Sequence, residues 1–420
     1  MDTALTRSQF VRWRAAIFVI FLASGLSIAT WASRVPDIKL SLGIDNAQTG
    51  LLLLGMGIAA ILGISTSPAV MTRTGARLGM LATMFAASAG LALIALGTNI
   101  VGSVPLVIAG LVLFGYGNGA LDVMMNVEAT AIEQQQGTTI LPVFHAFFSF
   151  GTVIGAGIGA LAVQLGANVS THTIIVAAVI LLIALVCFAN VPVRDVTIDP
   201  ASAHAPASGH GSSPAAKPSW RERIHLALEA WREPRTYALG IVMLGMSFAE
   251  GGANDWLALG VAEDHAAGAA AGAAALATFS VAMTVVRLVG GPLVDRFGRV
   301  LVLRILSITA AAGILLFILA PNTPLVFVAA ALWGIGASLG FPLGMSAAAD
   351  DPAKAAARVS AAATIGYIAF LSGPPVLGFV SAHIGLLNTM YILVVLAALS
   401  GLFSGSARPL RNDITPPTTT

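Results

Sequence analysis

The sequence predicts an all-α membrane protein with twelve transmembrane helices in two pseudo-symmetric six-helix bundles. The prediction rests on the apolar stretches, the composition and the distribution of basic residues. Each stretch has roughly 20 residues, and a helix of that length crosses a hydrocarbon core about 30 Å thick. The stretches, numbered here as spans 1 to 12, are residues 15–33, 47–70, 78–97, 104–126, 142–164, 171–191, 236–257, 267–289, 300–320, 325–347, 359–381 and 387–406.

The composition supports the same fold class. Because 57% of the residues are hydrophobic and only 10% are charged, the chain has too few charges to solvate a globular surface of its size. Its mean hydropathy is +0.89, so we expect a lipid bilayer to cover most of the surface. The 44 glycines fit this interpretation, since small residues let membrane helices approach closely. The net charge of +2 gives no reason to expect binding to nucleic acid.

The basic residues lie almost entirely on one side of the predicted membrane. When residues at helix ends are counted with the adjoining loop, 19 of the 21 Lys and Arg fall on that side, and only Arg34 and Lys39 fall on the other. Loops rich in Lys and Arg stay in the cytoplasm. We therefore expect a multi-pass protein of the cytoplasmic (inner) membrane with both termini in the cytoplasm.

A polar segment divides the chain into two halves. We expect a cytoplasmic N-terminus at 1–14, a first bundle at 15–191, a linker at 192–235, a second bundle at 236–406 and a tail at 407–420. Within the linker, residues 219–233 start with a capping-box sequence and have apolar residues at helical spacing. This segment predicts an amphipathic helix, which either lies on the cytoplasmic leaflet or packs against the protein's own inner face.

The sequence gives no reason to expect a cofactor or a metal site. Cys187 is the single cysteine, so neither an intrachain disulfide nor a thiolate metal site can form. His204 and His210 lie in a polar stretch of the linker without nearby cysteines or acidic residues. Two histidines in such a context are more often solvated than bound to metal.

The two halves carry a weak internal repeat in their loops. Residues 291–299 read GPLVDRFGR after span 8, and residues 68–76 read PAVMTRTGA after span 2. An offset of 223 residues superposes Arg73 on Arg296 and Gly75 on Gly298. Such a loop must turn sharply at the membrane surface, and glycine permits the backbone conformations that this requires. An acidic residue there can pair with a neighbouring helix end.

These loops resemble the signature of the major facilitator superfamily. The second copy is nearly complete, whereas the first has Thr72 in place of the acid and Ala76 in place of the last basic residue. The resemblance implies a solute carrier that alternates access between two halves, with a cytoplasmic gating loop. The residues of that loop would be Gly291, Asp295, Arg296, Gly298, Arg299, Arg73 and Gly75. Four further segments are most similar to a bacterial branch related to fucose-permease-like carriers: 115–126, 145–151, 250–256 and 364–375.

Three ionisable residues inside the predicted spans are candidates for proton coupling. An ionisable group inside a membrane is costly, so it marks a functional site by default. Asp122 in span 4 and His145 in span 5 lie at similar depth, and we expect them to meet across adjacent helices. The pair could act as a proton relay, or it could be a fixed hydrogen-bonded clasp that never titrates.

Glu250 lies close to the middle of span 7 and is the third candidate. A desolvated carboxylate at that depth suits reversible protonation, and the alternative is a structural pair with a polar residue of the first half. Gly251 and Gly252 follow directly and could bend the helix. Asp255, which comes next, is expected at the outer rim.

The resemblance implies that spans 1, 4, 7 and 10 line the substrate cavity. The candidate cavity residues on them are Ser27, Trp31, Asn118, Asn126, Asn254, Trp333 and Ser338. Hydroxyls, amides and aromatic rings suit a sugar-like or similar polar solute, although Trp333 could equally be a packed ring. Arg287 and Arg304 are expected close to cytoplasmic helix ends, which disfavours a phosphorylated substrate.

The sequence thus predicts a proton-coupled carrier of a small polar organic solute. Its expected partners are that solute, protons and the bilayer, and we expect a monomer. The alternative is an efflux antiporter for amphipathic compounds, because Gly151, Gly155, Gly157 and Gly159 partly resemble a glycine stretch of such proteins, with Ala156 where a proline belongs. Close helix packing would also explain these glycines. The phosphate-binding sequence GxxxxGK[ST] is absent, and we do not expect an enzyme.

Overall fold

The computed structural model describes residues 6–136, 140–193, 229–351 and 354–410, and their regular secondary structure is entirely helical. Helices are numbered here by the span they form. Residue Gly75 divides Asn46–Ala95 into α2 and α3. The others are α1 Arg7–Leu42, α4 Val104–Gln136, α5 Leu141–Gln164, α6 Val169–Asn190, α7 Pro234–Gly252, α8 Gly268–Phe297, α9 Arg299–Leu319, α10 Thr323–Ala337 with Gly340–Ala348, α11 Ala355–Ile384 and α12 Tyr391–Phe403.

The predicted fold class is confirmed. Nine helices of the described chain are long and apolar enough to cross a membrane, and the one that starts at Asn46 crosses twice because it folds back at Gly75. The helices α7 and α11 provide the two remaining spans. Several helices extend well past the predicted apolar stretch, as α8 does by running to Phe297.

The internal repeat is visible in the backbone. Gly75 has φ 75° and ψ 160°, and Gly298 has φ 77° and ψ 152°. L-residues with a side chain rarely adopt such angles, so glycine is required at both turns. The 223-residue offset therefore superposes two loops of the same backbone conformation, even though the first lacks the acid of the second.

Helix α7 departs from α-helical geometry in its outer half. After Gly252 the chain forms a π-helical turn at Ala253–Leu257 and continues as a short helix at Ala258–Ala262. A π turn inside an α-helix is rare and is often found at functional sites. The Gly251–Gly252 pair thus precedes a distortion, as the sequence predicted.

The glycines of α5 pack against α1. A Cβ atom built on Gly151 would lie 2.0 Å from the carbonyl oxygen of Leu22, and one on Gly159 would lie 2.1 Å from Oγ of Ser33. From the opposite side, a Cβ on Gly25 would lie 2.0 Å from the carbonyl oxygen of Phe148. The close-packing explanation of these glycines therefore holds. It also places α5 mainly against α1 and α8 rather than beside α4.

The two halves meet at the end of the bundle predicted to face outward. Gly50 of α2 approaches the backbone of α11, where an added Cβ would lie 2.7 Å from the carbonyl oxygen of Pro374. An ion pair joins Lys39 of the first half to Glu263 of the second half. Arg34, the other predicted outer cation, is buried and donates to the carbonyl oxygen of Ala167 at 2.6 Å.

At the face predicted to be cytoplasmic, ion pairs tie the second half together. Arg299 binds both carboxylate oxygens of Asp350 at 2.7 and 2.8 Å, and Arg235 binds the same carboxylate at 2.8 Å. The first half has a related contact 222 positions earlier, where the indole of Trp13 donates to Glu128 at 2.8 Å. The repeat thus extends beyond the loops, although a neutral donor stands where the second half has an arginine.

A second ionic cluster lies at the entry to α7. Arg358 donates to both carboxylate oxygens of Glu233, at 2.6 and 3.1 Å. These hydrogen bonds, helped by the charges of Arg358 and Lys354, lower the pKa of Glu233. The pKa of Glu233 is thus lower in the folded protein than in the unfolded chain. The cluster therefore stabilises the fold fully above the ordinary pKa of glutamate, and this stabilisation is lost as the pH falls through the lowered pKa.

Residues 194–228 of the predicted linker lie outside the described residues. They include His204, His210 and residues 219–228 of the predicted amphipathic helix. At its described end, Trp231 packs edge-on against Tyr237 of α7, with the ring centroids 6.0 Å apart. This contact connects the end of the linker to the second half.

Candidate functional site

An ion pair lies inside the helix bundle of the second half. Arg287 of α8 donates from Nη2 to Oε1 of Glu250 on α7 at 2.8 Å. The side chains are 21% and 17% exposed, respectively, so both are largely removed from solvent. Charges in such a setting need a partner, because removing one of two paired charges leaves the other uncompensated.

The position of Arg287 corrects the sequence prediction. It lies ten residues before Phe297, the last residue of α8, which corresponds to about 15 Å along the helix axis. The predicted span ended near residue 289, and this placed Arg287 too close to the surface. Arg304, by contrast, is exposed and bonds Ser404 through Nε at 3.4 Å.

Arg287 also contacts the other half of the protein. Its Nε donates to the backbone carbonyl of Ser338 at 3.0 Å, which fixes the guanidinium against α10. Its Nη1 lies 3.5 Å from Oγ of Ser149 on α5. The imidazole of His145, one turn earlier on α5, lies within electrostatic reach of the same guanidinium. The site is therefore built from both halves.

The expected contact between Asp122 and His145 is not formed. Within the described residues no hydrogen bond or ion pair joins them, and α4 and α5 hardly touch. His145 packs edge-on against Phe21, with the ring centroids 5.4 Å apart. Asp122 accepts a hydrogen bond from Asn126 at 3.3 Å. Both predicted forms of this pair, the relay and the clasp, are therefore wrong as direct contacts.

Asp122 and His145 are both exposed. Asp122 and Asn126 continue the face of α4 that carries Asn118, since residues four apart share one face of a helix. Asn118 in turn points at α1. Because the halves meet at the outer end, the exposed polar groups indicate a cavity open toward the face predicted to be cytoplasmic.

Several predicted cavity residues instead connect helices. Ser27 donates to Oδ1 of Asn118 at 3.0 Å, Ser24 approaches the same atom at 3.4 Å, and all three residues are buried. The Asn118 amide is completed by a bond to the carbonyl of Phe114 at 3.0 Å. This group ties α1 to α4, so we assign it to the wall of the cavity.

The two candidate tryptophans are also buried. The indole of Trp333 donates to the carbonyl of Ala249 at 2.9 Å and packs against Phe279 and Phe317, so it is a packed ring. It thereby holds the residue next to Glu250. Trp31 is 3% exposed, and its Nε1 finds no hydrogen-bond partner among the described residues.

The remaining cavity candidates are Ser338 and Asn254. Ser338 contributes its backbone carbonyl to Arg287, while its hydroxyl bonds the carbonyl of Ile335. Asn254 and Asp255 lie on the π turn and are partly exposed. Asp255 is thus placed within the helix distortion that follows Glu250.

In the predicted gating loops, the glycines and the last arginine have defined roles. Gly75 and Gly298 make the turns, and Arg299 pairs with Asp350. Arg73, Asp295 and Arg296 are exposed, and Gly291 has open space around it. No group of three or more metal-ligating side chains occurs among the described residues.

Sequence reasoning missed two members of the site, Arg287 and Ser149. An arginine within a predicted span and a carboxylate in the preceding span were a signal for an ion pair inside the membrane. Ser149 gave no such signal, because its role depends on how α5 faces α8. Glu250 was a predicted candidate, and its partner Arg287 belongs to the second half rather than to the first.

Comparisons with known proteins agree with this architecture. The sequence profile of the Major Facilitator Superfamily matches residues 16–261 and 239–418. An uncharacterised MFS-type transporter of Yersinia pestis is 30% identical over 404 residues, which are 95% of this chain and 96% of the relative. Membrane protein MosC of Rhizobium meliloti is 24% identical over 386 residues, which are 91% of this chain and 87% of the relative.

Solved structures show the same fold. A mutant of the nucleoside transporter NupG matches with a TM-score of 0.70 at 15% identity and covers 95% of this chain and 98% of its own. The fucose:proton symporter FucP of E. coli matches with a TM-score of 0.58 at 19% identity. The match covers 96% of this chain and 99% of the FucP chain. With the profile spanning nearly all residues, the chain belongs to the major facilitator superfamily.

Proposed function

We propose that this transporter carries a small polar organic solute by alternating access and couples the movement to protons. The observation that carries the proposal is the Glu250–Arg287 ion pair, which lies inside the bundle and reaches Ser149 of the other half. A carboxylate inside the helix bundle of a membrane protein is a candidate carrier of the coupled proton. Its guanidinium partner lies where the two halves would move against each other.

The coupling follows from the cost of desolvated charge. When the cavity closes, an unpaired carboxylate becomes expensive, whereas a protonated carboxyl group does not. Protonation of Glu250 therefore weakens its bond to Arg287 and favours the conformations in which the two groups separate. The solute then occupies polar surface that the ion pair had covered. The structural likeness to a nucleoside transporter and a fucose:proton symporter supports the proposal.

We further propose that the open face of the cavity is cytoplasmic and that both termini lie on that side, in the inner membrane. The distribution of basic residues supports this orientation. A cysteine introduced at position 210, in a Cys187→Ala background, should resist impermeant thiol reagents in intact cells and react after permeabilisation. Labelling from outside the cell would overturn the orientation.

The proposed activity can be tested in proteoliposomes. Vesicles that contain the purified protein, with an imposed pH gradient and a pooled mixture of metabolites, should accumulate at least one polar solute. Empty vesicles and vesicles without a gradient are the controls, and mass spectrometry of the contents is the measurement. If solutes only equilibrate, or if no solute depends on the gradient, proton coupling is refuted.

The same assay examines efflux as the alternative function. Net expulsion of amphipathic cations against a proton gradient would replace solute uptake. Three of the glycines that suggested this alternative, Gly151, Gly155 and Gly159, pack against α1, so close packing explains them. No other observation in the described structure favours efflux.

A further inference from the structure

The guanidinium of Arg287 is bound on two sides and is available on a third. Its Nε is taken by Ser338, and its Nη2 bonds one oxygen of Glu250. Its Nη1 has only the 3.5 Å contact to Ser149, which is at the limit of a hydrogen bond. A guanidinium and a carboxylate that are fully engaged form two parallel bonds. The single bond here leaves one donor edge of Arg287 free for a second oxyanion.

That donor edge faces the interface between the halves. Nη1 points at Ser149 of α5, and the exposed His145 lies one turn away on the same helix. Asp122 of α4 is a further exposed acidic group, with Asn126 as its partner. A group bound at Nη1 would therefore touch the first half and the second half together. A carrier that rocks two halves around one site needs this kind of contact.

The charge of the site restricts what can bind there. Arginine stays protonated in proteins, so Arg287 keeps its positive charge throughout the cycle. While Glu250 is ionised, the two charges balance. When Glu250 takes up a proton, the guanidinium is left without a counterion in a region of low dielectric constant, which is unfavourable. A solute that brings one negative charge restores the balance, whereas a neutral sugar does not.

We propose that the transported solute carries a carboxylate and that Arg287 binds this group through Nη1 once Glu250 is protonated. The class is a small hydroxylated monocarboxylate, such as a sugar acid. This inference rests on the proposed proton-coupled transport and specifies its substrate class. A single guanidinium balances one negative charge, so a phosphorylated dianion is not expected. The solute and its proton then cross together without net charge.

Binding to the purified full-length protein tests the inference without any transport step. Thermal unfolding is followed at mildly acidic pH with saturating gluconate, galacturonate or lactate, and with the methyl esters and amino sugars that match them. We expect at least one acid to raise the melting temperature by about 3 °C or more. The esters and the amino sugars should have no effect.

Variants assign the effect to Arg287. The double variant Arg287→Gln/Glu250→Gln leaves no unpaired charge, so it should fold, and it should lose affinity for the acid by about tenfold or more. Arg304→Gln is the matched control, because that arginine is exposed and bonds only Ser404 among the described residues. It should keep the affinity of the parent protein.

Three results would overturn the inference: no acid in the panel binds, the methyl esters bind as well as the acids, or the double variant keeps its affinity. A failure of this inference can be distinguished from a failure of the proposed proton-coupled transport. Accumulation of a neutral solute driven by the pH gradient would retain proton coupling and refute the carboxylate. Binding of an acid that depends on Arg287, without any gradient-driven uptake, would retain the carboxylate and refute proton coupling.

Discussion

Replacement of Glu250 by Gln should abolish accumulation driven by a pH gradient while solute exchange across the membrane continues. Gln is close in shape to the protonated acid and cannot release a proton, so the carrier can still bind solute and change conformation. A gradient of one pH unit supports about tenfold accumulation when one proton accompanies each solute. For the variant we expect the ratio of inside to outside concentration to remain near equality.

The measurement is uphill uptake and counterflow in the same proteoliposomes. Asp255→Asn is the matched control, because Asp255 is a second carboxylate five residues further along and bonds none of the site residues in the described structure. It should keep gradient-driven uptake. Full accumulation by the Gln variant would remove Glu250 from the coupling mechanism, and Asp122 and His145 would be the remaining candidates.

The variant Gly151→Ala should destabilise the fold, in contrast to the same substitution at Gly157 of the same helix. The new Cβ would lie 2.0 Å from the carbonyl oxygen of Leu22, so α1 and α5 would have to move apart. Overpacking of this kind costs about 1–3 kcal/mol. Thermal unfolding of the purified protein should show a melting temperature several degrees lower.

The same helix provides the control. Gly157 has open space where its Cβ would be, so Gly157→Ala gains helix propensity without a collision. Its melting temperature should stay the same or rise. Gly25→Ala on α1 reproduces the collision from the other side, 2.0 Å from the carbonyl oxygen of Phe148, and should resemble Gly151→Ala. Equal melting temperatures for the variants at 151 and 157 would contradict the packing described here.

The architecture could be predicted because the bilayer dictates it. A span must be apolar and about 20 residues long, and both properties can be read from a sequence. The two turns at Gly75 and Gly298 were also predictable, because an offset of 223 residues superposes an arginine and a glycine of the two loops. In these places a one-dimensional pattern corresponds directly to a structural requirement.

The site was predicted less completely because depth alone does not place a side chain. The sequence predicts similar depths for Asp122 and His145, but the direction in which each side chain points depends on how the helices pack. The glycines of α5 turn that helix toward α1 and α8, which separates the two residues. A sequence pattern gives the position along a helix and leaves open which neighbour that helix will have.

The Arg287 contact was missed for a different reason. Apolar stretches were used as helix boundaries, and α8 continues to Phe297, past the point where its sequence becomes polar. An arginine near the end of an apolar stretch can therefore lie well inside the helix. Its partner Glu250 was identified from its own burial depth, so half of the pair followed from the sequence and the other half did not.

The π turn at Ala253–Leu257 gives helix α7 a spare residue directly after Glu250. If this turn tightened to α-helical geometry, the extra residue would pass into the neighbouring turn. Only the residues between the old and the new position of the extra residue would then rotate, by about 100° around the helix axis. Such a change would swing Glu250 from one side of α7 toward another without any change in the ends of the helix. Local rewinding of one helix could therefore break or form the bond to Arg287 independently of the rocking of whole halves.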